Sequence, residues 1–171
     1  MILKHIINSE IRKQKHKIKY IKLFIYIYLM GDLDIANLLN ALENDSNSSI
    51  MNQTTRKIKD IKNNVLQRLQ LSGKILKEFH KKLKKYRYCS DMHDLQFGYY
   101  IRWIPLKDPN NIKLTTGGII IDIDIINDCI QIKVKNNQNR IFQIKFDEVI
   151  IFQKVSRQEN VILTVLDYII K

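Results

Sequence analysis

Two cysteines, two prolines and five glycines among 171 residues leave little material for several architectures. Two cysteines cannot staple a small secreted scaffold. So little Pro and Gly excludes a collagen-like repeat and a Pro/Gly-rich disordered chain. A membrane-crossing helix needs about 20 apolar residues, and Leu23–Met30 is a run of only eight. That run reaches the low end of a signal-peptide core, but Gly31-Asp32 follows it where a small-residue cleavage site belongs. No phosphate-binding glycine loop, nucleophile elbow or dinucleotide fingerprint occurs.

What the chain has in quantity is Ile (31), Lys (22) and Asn (15), together two-fifths of all residues. Codons for all three can be written with A and T alone, so the coding sequence is AT-rich, as in large DNA viruses, some protozoan parasites and endosymbionts. Such a bias raises Lys everywhere and weakens each basic cluster as evidence. A hydrophobic content of 45% is that of a folding protein. The net charge of +12 is uneven: residues 1–29 carry +6, residues 30–50 carry −4, residues 51–90 carry +10, and the remainder is neutral.

Residues 1–29 form a basic and apolar extension. It is open to three readings: sequence upstream of a true start at Met30 or Met51, a helical extension, or a membrane-proximal anchor. Residues 30–53 read as a short acidic helix and a polar linker, Glu43 to Ser49. Residues 54–88 read as one long basic amphipathic helix, its apolar positions repeating at heptad spacing. Ile58, Val65, Leu69, Leu76, Phe79 and Leu83 make the stripe, with Lys62 as a polar interruption, and are the expected self-association surface. A helix of that length spans roughly 50 Å at 1.5 Å per residue. The densest basic run, Lys81, Lys82, Lys84, Lys85 and Arg87, could grip nucleic-acid phosphates, be a solvated face, or meet an anionic membrane.

From Phe97 the period becomes two. Strands are expected at 98–104, 118–125, 129–135, 140–146 and 149–153, with Asn136-Asn137-Gln138-Asn139 as a hairpin loop and Gly117-Gly118 as a bend or bulge. Trp103 is expected in the core, leaving Tyr100 and Arg102 on the surface as contacts for a base or peptide. Ser156-Arg157-Gln158-Glu159 fits a capping box that opens a C-terminal helix. The expected fold is therefore α+β: the basic helix, possibly a coiled coil, then over 95–171 a small five-stranded antiparallel SH3-like β-barrel closed by the C-terminal helix. An OB-like barrel is the second choice.

Gly98-Tyr99-Tyr100-Ile101-Arg102-Trp103-Ile104 followed by Lys113-Leu114-Thr115-Thr116-Gly117-Gly118 resembles small uncharacterised proteins of giant (nucleocytoplasmic large) DNA viruses, in which a G-x-Y-I-R-W/Y strand precedes an L-x-x-G-G turn. The likeness covers residues 95–155. It implies a viral origin and a barrel, and brings no chemistry.

Chemistry is sparse. Cys89 and His93 form one loose pair where structural zinc needs two. Asp122 and Asp124 share a strand face and could hold Mg²⁺, or simply mark the wet side. Asp91-Met92-His93-Asp94 offers a base without a nucleophile. The expectation is a non-enzymatic structural or assembly protein of a virus, without cofactor or metal. It would self-associate through the helix and bind a protein through the barrel. The alternative is a nucleic-acid-binding accessory protein. Unpaired cysteines point to a reducing compartment, the host cytoplasm or virion, and a membrane partner is not expected.

Overall fold

The computed structural model describes residues 32–170; the expectations for residues 1–29 lie outside them. The described chain divides into two compact units. One holds residues 32–54 with 157–170, the other Thr55–Ser156.

The first unit pairs helix α1 (Asp32–Glu43) with the C-terminal helix α4 (Arg157–Ile169). Leu38 and Ala41 of α1, Ile50, and Ile162, Leu163, Val165 and Leu166 of α4 are its buried apolar residues. The segment expected as a linker is structured. Asn44 caps a 3-10 turn, Asp45–Ile50, by accepting from the Ser46 amide at 3.1 Å, and its own amide donates to Gln158 Oε1 at 2.8 Å. Asn47, fully buried, donates to the Ala41 carbonyl at 2.7 Å and to the same Gln158 oxygen at 3.3 Å. A polar composition that reads as a loop is here a buried amide knot.

The second unit is a helical layer on a sheet. The single long helix expected over 54–88 does not form. Helix α2 (Thr55–Gln67) ends where Gln70 enters the left-handed region at φ 49°, and α3 (Gly73–Lys82) begins after Ser72. The physical reason is reach. A straight rod could not lay Leu66, Phe79 and Leu83 on one small sheet, whereas two short helices do. The chain then enters strand β1 (Tyr86–Cys89), a segment whose lysine-rich approach reads as helix. Strands β2 (Tyr100–Pro105), β3 (Gly118–Ile126), β4 (Cys129–Lys135), β5 (Ile141–Lys145) and β6 (Val149–Lys154) follow.

These six strands make one antiparallel sheet in the order β1-β6-β2-β3-β4-β5. The expected five-stranded SH3-like barrel is overturned: there is a sixth strand, and the sheet is open, with β1 and β5 as unjoined edges. Alternation gives the sheet two apolar faces. Tyr86, Ile104 and Phe152 face the helices with Leu66, Phe79 and Leu83. Cys89, Ile101, Trp103, Ile120, Ile132, Val134 and Ile151 form the opposite core, with Leu95 added from a loop. Trp103 is buried as expected. The C-terminal helix forms too, but it belongs to the first unit.

The Leu-Thr-Thr-Gly-Gly segment has a physical task. β2 and β3 pair at only two positions, Tyr100↔Ile119 and Ile101↔Gly118. Beyond them Thr115 stands in for a strand: its hydroxyl oxygen accepts from the Trp103 amide, and its own amide donates to the Trp103 carbonyl, both at 3.0 Å. Gly117, at φ 92°, crosses so close that a Cβ would strike the Ile101 carbonyl. The bulge in β3 falls later, at Ile121.

Lys62 locks the helical layer. Nearly fully buried, its amine donates to the Leu83 carbonyl at 2.6 Å and the Tyr86 carbonyl at 2.9 Å. It thereby joins α2 to the turn that leads from α3 into β1. Burial, and then Lys59, push its pKa below 10.5. Lys62→Met should destabilise the chain by about 2 kcal/mol in denaturant melts, because two buried carbonyls lose their donor. The unfolded chain binds the Lys62 proton more tightly than the folded one, so the Lys62 contribution to stability rises as pH climbs toward 10.5. The stability gap between wild type and Lys62→Met should widen over that range. Gly117→Ala should cost at least about 2 kcal/mol from the left-handed backbone and the clash together.

Candidate functional site

A helix whose inner face carries Leu76, Phe79 and, just past its end, Leu83 must turn its other residues outward. On α3 those are Lys74, Lys77, Lys81 and Lys82, all exposed, and the turn adds exposed Lys84 and Lys85. Lys74, Lys77 and Lys81 follow one another at three- and four-residue spacing along one stripe. Exposed Arg56, Lys57 and Lys59 lie on α2. Lys82 is partly spent on Glu78, 2.5 Å away, and this hydrogen-bonded ion pair holds the Glu78 carboxyl below its ordinary range. Lys81, Lys84 and Lys85 form no ion pair among the described residues. Lys81 and Lys82 also suit the negative end of the helix dipole, which favours cations there whatever else they do. A trough of about 550 Å³ opens alongside, floored by Leu71, Phe79 and Leu114 and rimmed by Lys82 and Lys113.

The other expected contact residues are committed elsewhere. Arg87 is 1% exposed. It lies on the face of β1 away from the helices, where its guanidinium donates to the Asp94 carbonyl at 2.8 Å and stands 3.7 Å from the Asp94 carboxylate. That carboxylate also accepts from the Ser90 amide at 2.8 Å, and Asp91 caps the same turn. So the Asp91–Asp94 segment is a clasp on Arg87. The Tyr100 hydroxyl donates to the Thr116 carbonyl at 3.0 Å, and its ring packs on the core beneath the helices. The Arg102 guanidinium lies 5.5 Å from the centre of the Tyr86 ring, an attraction of cation for aromatic face. Burial raises the pKa of the Tyr86 phenol. Tyr100 and Arg102 face the same side of the sheet, as alternation predicts, but that side is roofed by helices.

The heptad stripe is likewise used inside the chain. Ile58, Phe79 and Leu83 are buried, and Val65, Leu69 and Leu76 pack around the same core as Phe79 and Leu83. The stripe is a sheet-facing surface, because breaking the helix at Gln70 folds both halves onto one partner. Lys62, the interruption in the heptad row, is the staple described above. A lone lysine in an apolar row is the signal that could have exposed it.

Asp122 and Asp124 do share a face. Between them lies the Lys133 amine, 2.7 Å and 2.9 Å from the two carboxylates. The ammonium takes the position a divalent cation would need, lowers the Asp122 pKa and has its own pKa raised. Among the described residues no group of three His, Cys, Asp or Glu side chains converges on a point that could hold a metal. Cys89 is buried, and the His93 ring bonds Asp91 at 2.7 Å. No described helix is long and apolar enough to cross a membrane. Comparison of the chain with family models, curated proteins and solved structures finds no match in any of the three.

Two outcomes separate these roles. Arg87→Met should lower stability by about 3 kcal/mol, the scale for breaking a buried charge pair on one side, while leaving affinity for any anionic ligand of the folded chain unchanged. In Lys133→Met the Asp122 carboxyl should titrate at higher pH than in wild type, as followed by carboxyl carbon NMR shifts.

Proposed function

We propose that this chain is a non-enzymatic accessory protein that binds nucleic acid through backbone phosphates, using Lys81, Lys84 and Lys85 with Lys74 and Lys77 beside them. One observation carries this reading. The fold packs the apolar stripe of the basic segment inward and leaves Lys81, Lys84 and Lys85 exposed and in no ion pair among the described residues. Twelve bases against two acids between residues 51 and 90 keep that layer positive overall. Lysine is a point charge suited to phosphate, whereas base-edge reading relies on the bidentate fork of arginine. Arg87 and Arg102 are occupied within the chain, so sequence-neutral contact is the expected mode. Against self-association through the helix stripe stands the burial of Ile58, Phe79 and Leu83, with Val65, Leu69 and Leu76 partly buried around the core that holds Phe79 and Leu83. The AT-coded composition and the motifs at 95–155 support a large DNA virus as the source, with action in host cytoplasm or virion.

Binding of the full chain to a labelled single-stranded oligonucleotide and to a duplex should weaken steeply with salt. The log–log slope should be near −0.7 per phosphate for the single strand and near −0.9 for the duplex. The triple variant Lys81→Glu, Lys84→Glu, Lys85→Glu should cut affinity at least about tenfold and flatten the slope by roughly one unit per lysine. Salt-insensitive binding, or an unchanged slope in the triple variant, would sink the reading.

A further inference from the structure

The open sheet ends at β5, its least covered strand. Ile141 is 62% and Phe142 41% exposed, Gln143 and Lys145 are exposed, and only Ile144 is half-buried. Natural sheets shield such edges with bulges, prolines or several charges. β5 pairs with β4 without a register shift, holds no proline and carries one charge, Lys145. Beside it lies a groove of about 400 Å³ lined in part by Trp103, Ile144 and Val149.

The strand is complementary to itself. In an antiparallel pair related by a two-fold axis, residue c of one copy faces residue c of the other. With Gln143 on the axis, Phe142 meets Ile144 of the second copy and Ile141 meets the aliphatic stem of Lys145. The only charge in the strand then never faces itself, as it would in a parallel pair. Gln143 already donates from its amide to the Gln131 carboxamide oxygen across β4–β5. Its own oxygen and second amide hydrogen are free to pair with the second Gln143, making a row of four amides. At each end Arg140, exposed and in no ion pair among the described residues, falls where exposed Asp147 of the other copy follows Phe146. We infer that β5 is a homodimerisation edge, through which two copies of this chain join their sheets antiparallel along Ile141–Lys145.

This surface is separate from the lysine cluster, and the two stand or fall independently. In sedimentation of the nuclease-treated full chain, the native protein should show a dimer that dissociates on dilution. Gln143→Lys and Gln143→Glu, at an exposed position that leaves the fold intact by circular dichroism, each set like charges face to face on the axis. Each should weaken the dimer about tenfold or more. An equal mixture of the two variants should regain the dimer, because opposite charges then meet. The triple lysine variant should keep the native mass. A native chain that stays monomeric overturns the inference, and so does either glutamine variant that dimerises as the native chain does. A mixture that fails to recover also overturns it.

Discussion

An ammonium group held by two carbonyl oxygens decides what the surface of this protein can be. Lys62 reaches from α2 to the Leu83 and Tyr86 carbonyls. In doing so it fixes the turn through which a basic helix becomes a strand of the sheet. The helices are then pinned with Leu66, Phe79 and Leu83 against Ile104, Phe152 and Tyr86. Once that face is settled, the remaining lysines have nowhere to go but water. The positive layer is thus a by-product of where one lysine was buried, and the stripe that looked like an interface is the underside of that layer.

How far the sequence could foretell this follows from the range of each interaction. Strand alternation is local, so β2 to β6, the burial of Trp103 and the C-terminal helix were all visible in the residue pattern. The helix break was not: Leu69-Gln70-Leu71-Ser72 contains no Pro, and the left-handed Gln70 is selected by the sheet below. β1 was hidden for a similar reason. Tyr86-Arg87-Tyr88-Cys89 alternates, but four residues behind a lysine run are too few to outweigh helical periodicity. Of the expected contact residues, Lys81, Lys82, Lys84 and Lys85 are exposed because a lysine's default is solvent. Arg87 is buried, and the half-buried Tyr100 and Arg102 make contacts within the chain that the sequence does not show, because their partners, Thr116 and Tyr86, are tertiary. Asp122 and Asp124 share a face as spacing said, but the Lys133 between them comes from the neighbouring strand.

One face of the sheet is apolar across most of its width, whereas the other is apolar only beneath the helices. The helices cover one face at the β1-β6-β2 end. At the β3-β4-β5 end the outer face carries Asp122, Asp124, Lys133, Gln131 and Gln143 instead. The sheet therefore changes character along its width, from a strand layer roofed by helices to a ribbon bare on its outer face and ending in β5. Lys133 bridges Asp122 and Asp124 on that stretch, offsetting one of the two carboxylate charges and leaving the cluster a net −1.

The amide knot of the first unit sets an order of events during synthesis. Asn44 and Asn47 make their bonds to Gln158, more than a hundred residues later in the chain. A ribosome delivers α1 before α4, and in between it releases every strand of the sheet. The second unit can complete its contacts while the buried side of α1 still waits for its partner. A loop of that length costs only slowly growing entropy to close, so the delay matters in time more than in free energy. Throughout it, Leu38, Ala41 and the buried amide of Asn47 stand open to whatever else a crowded translation site presents.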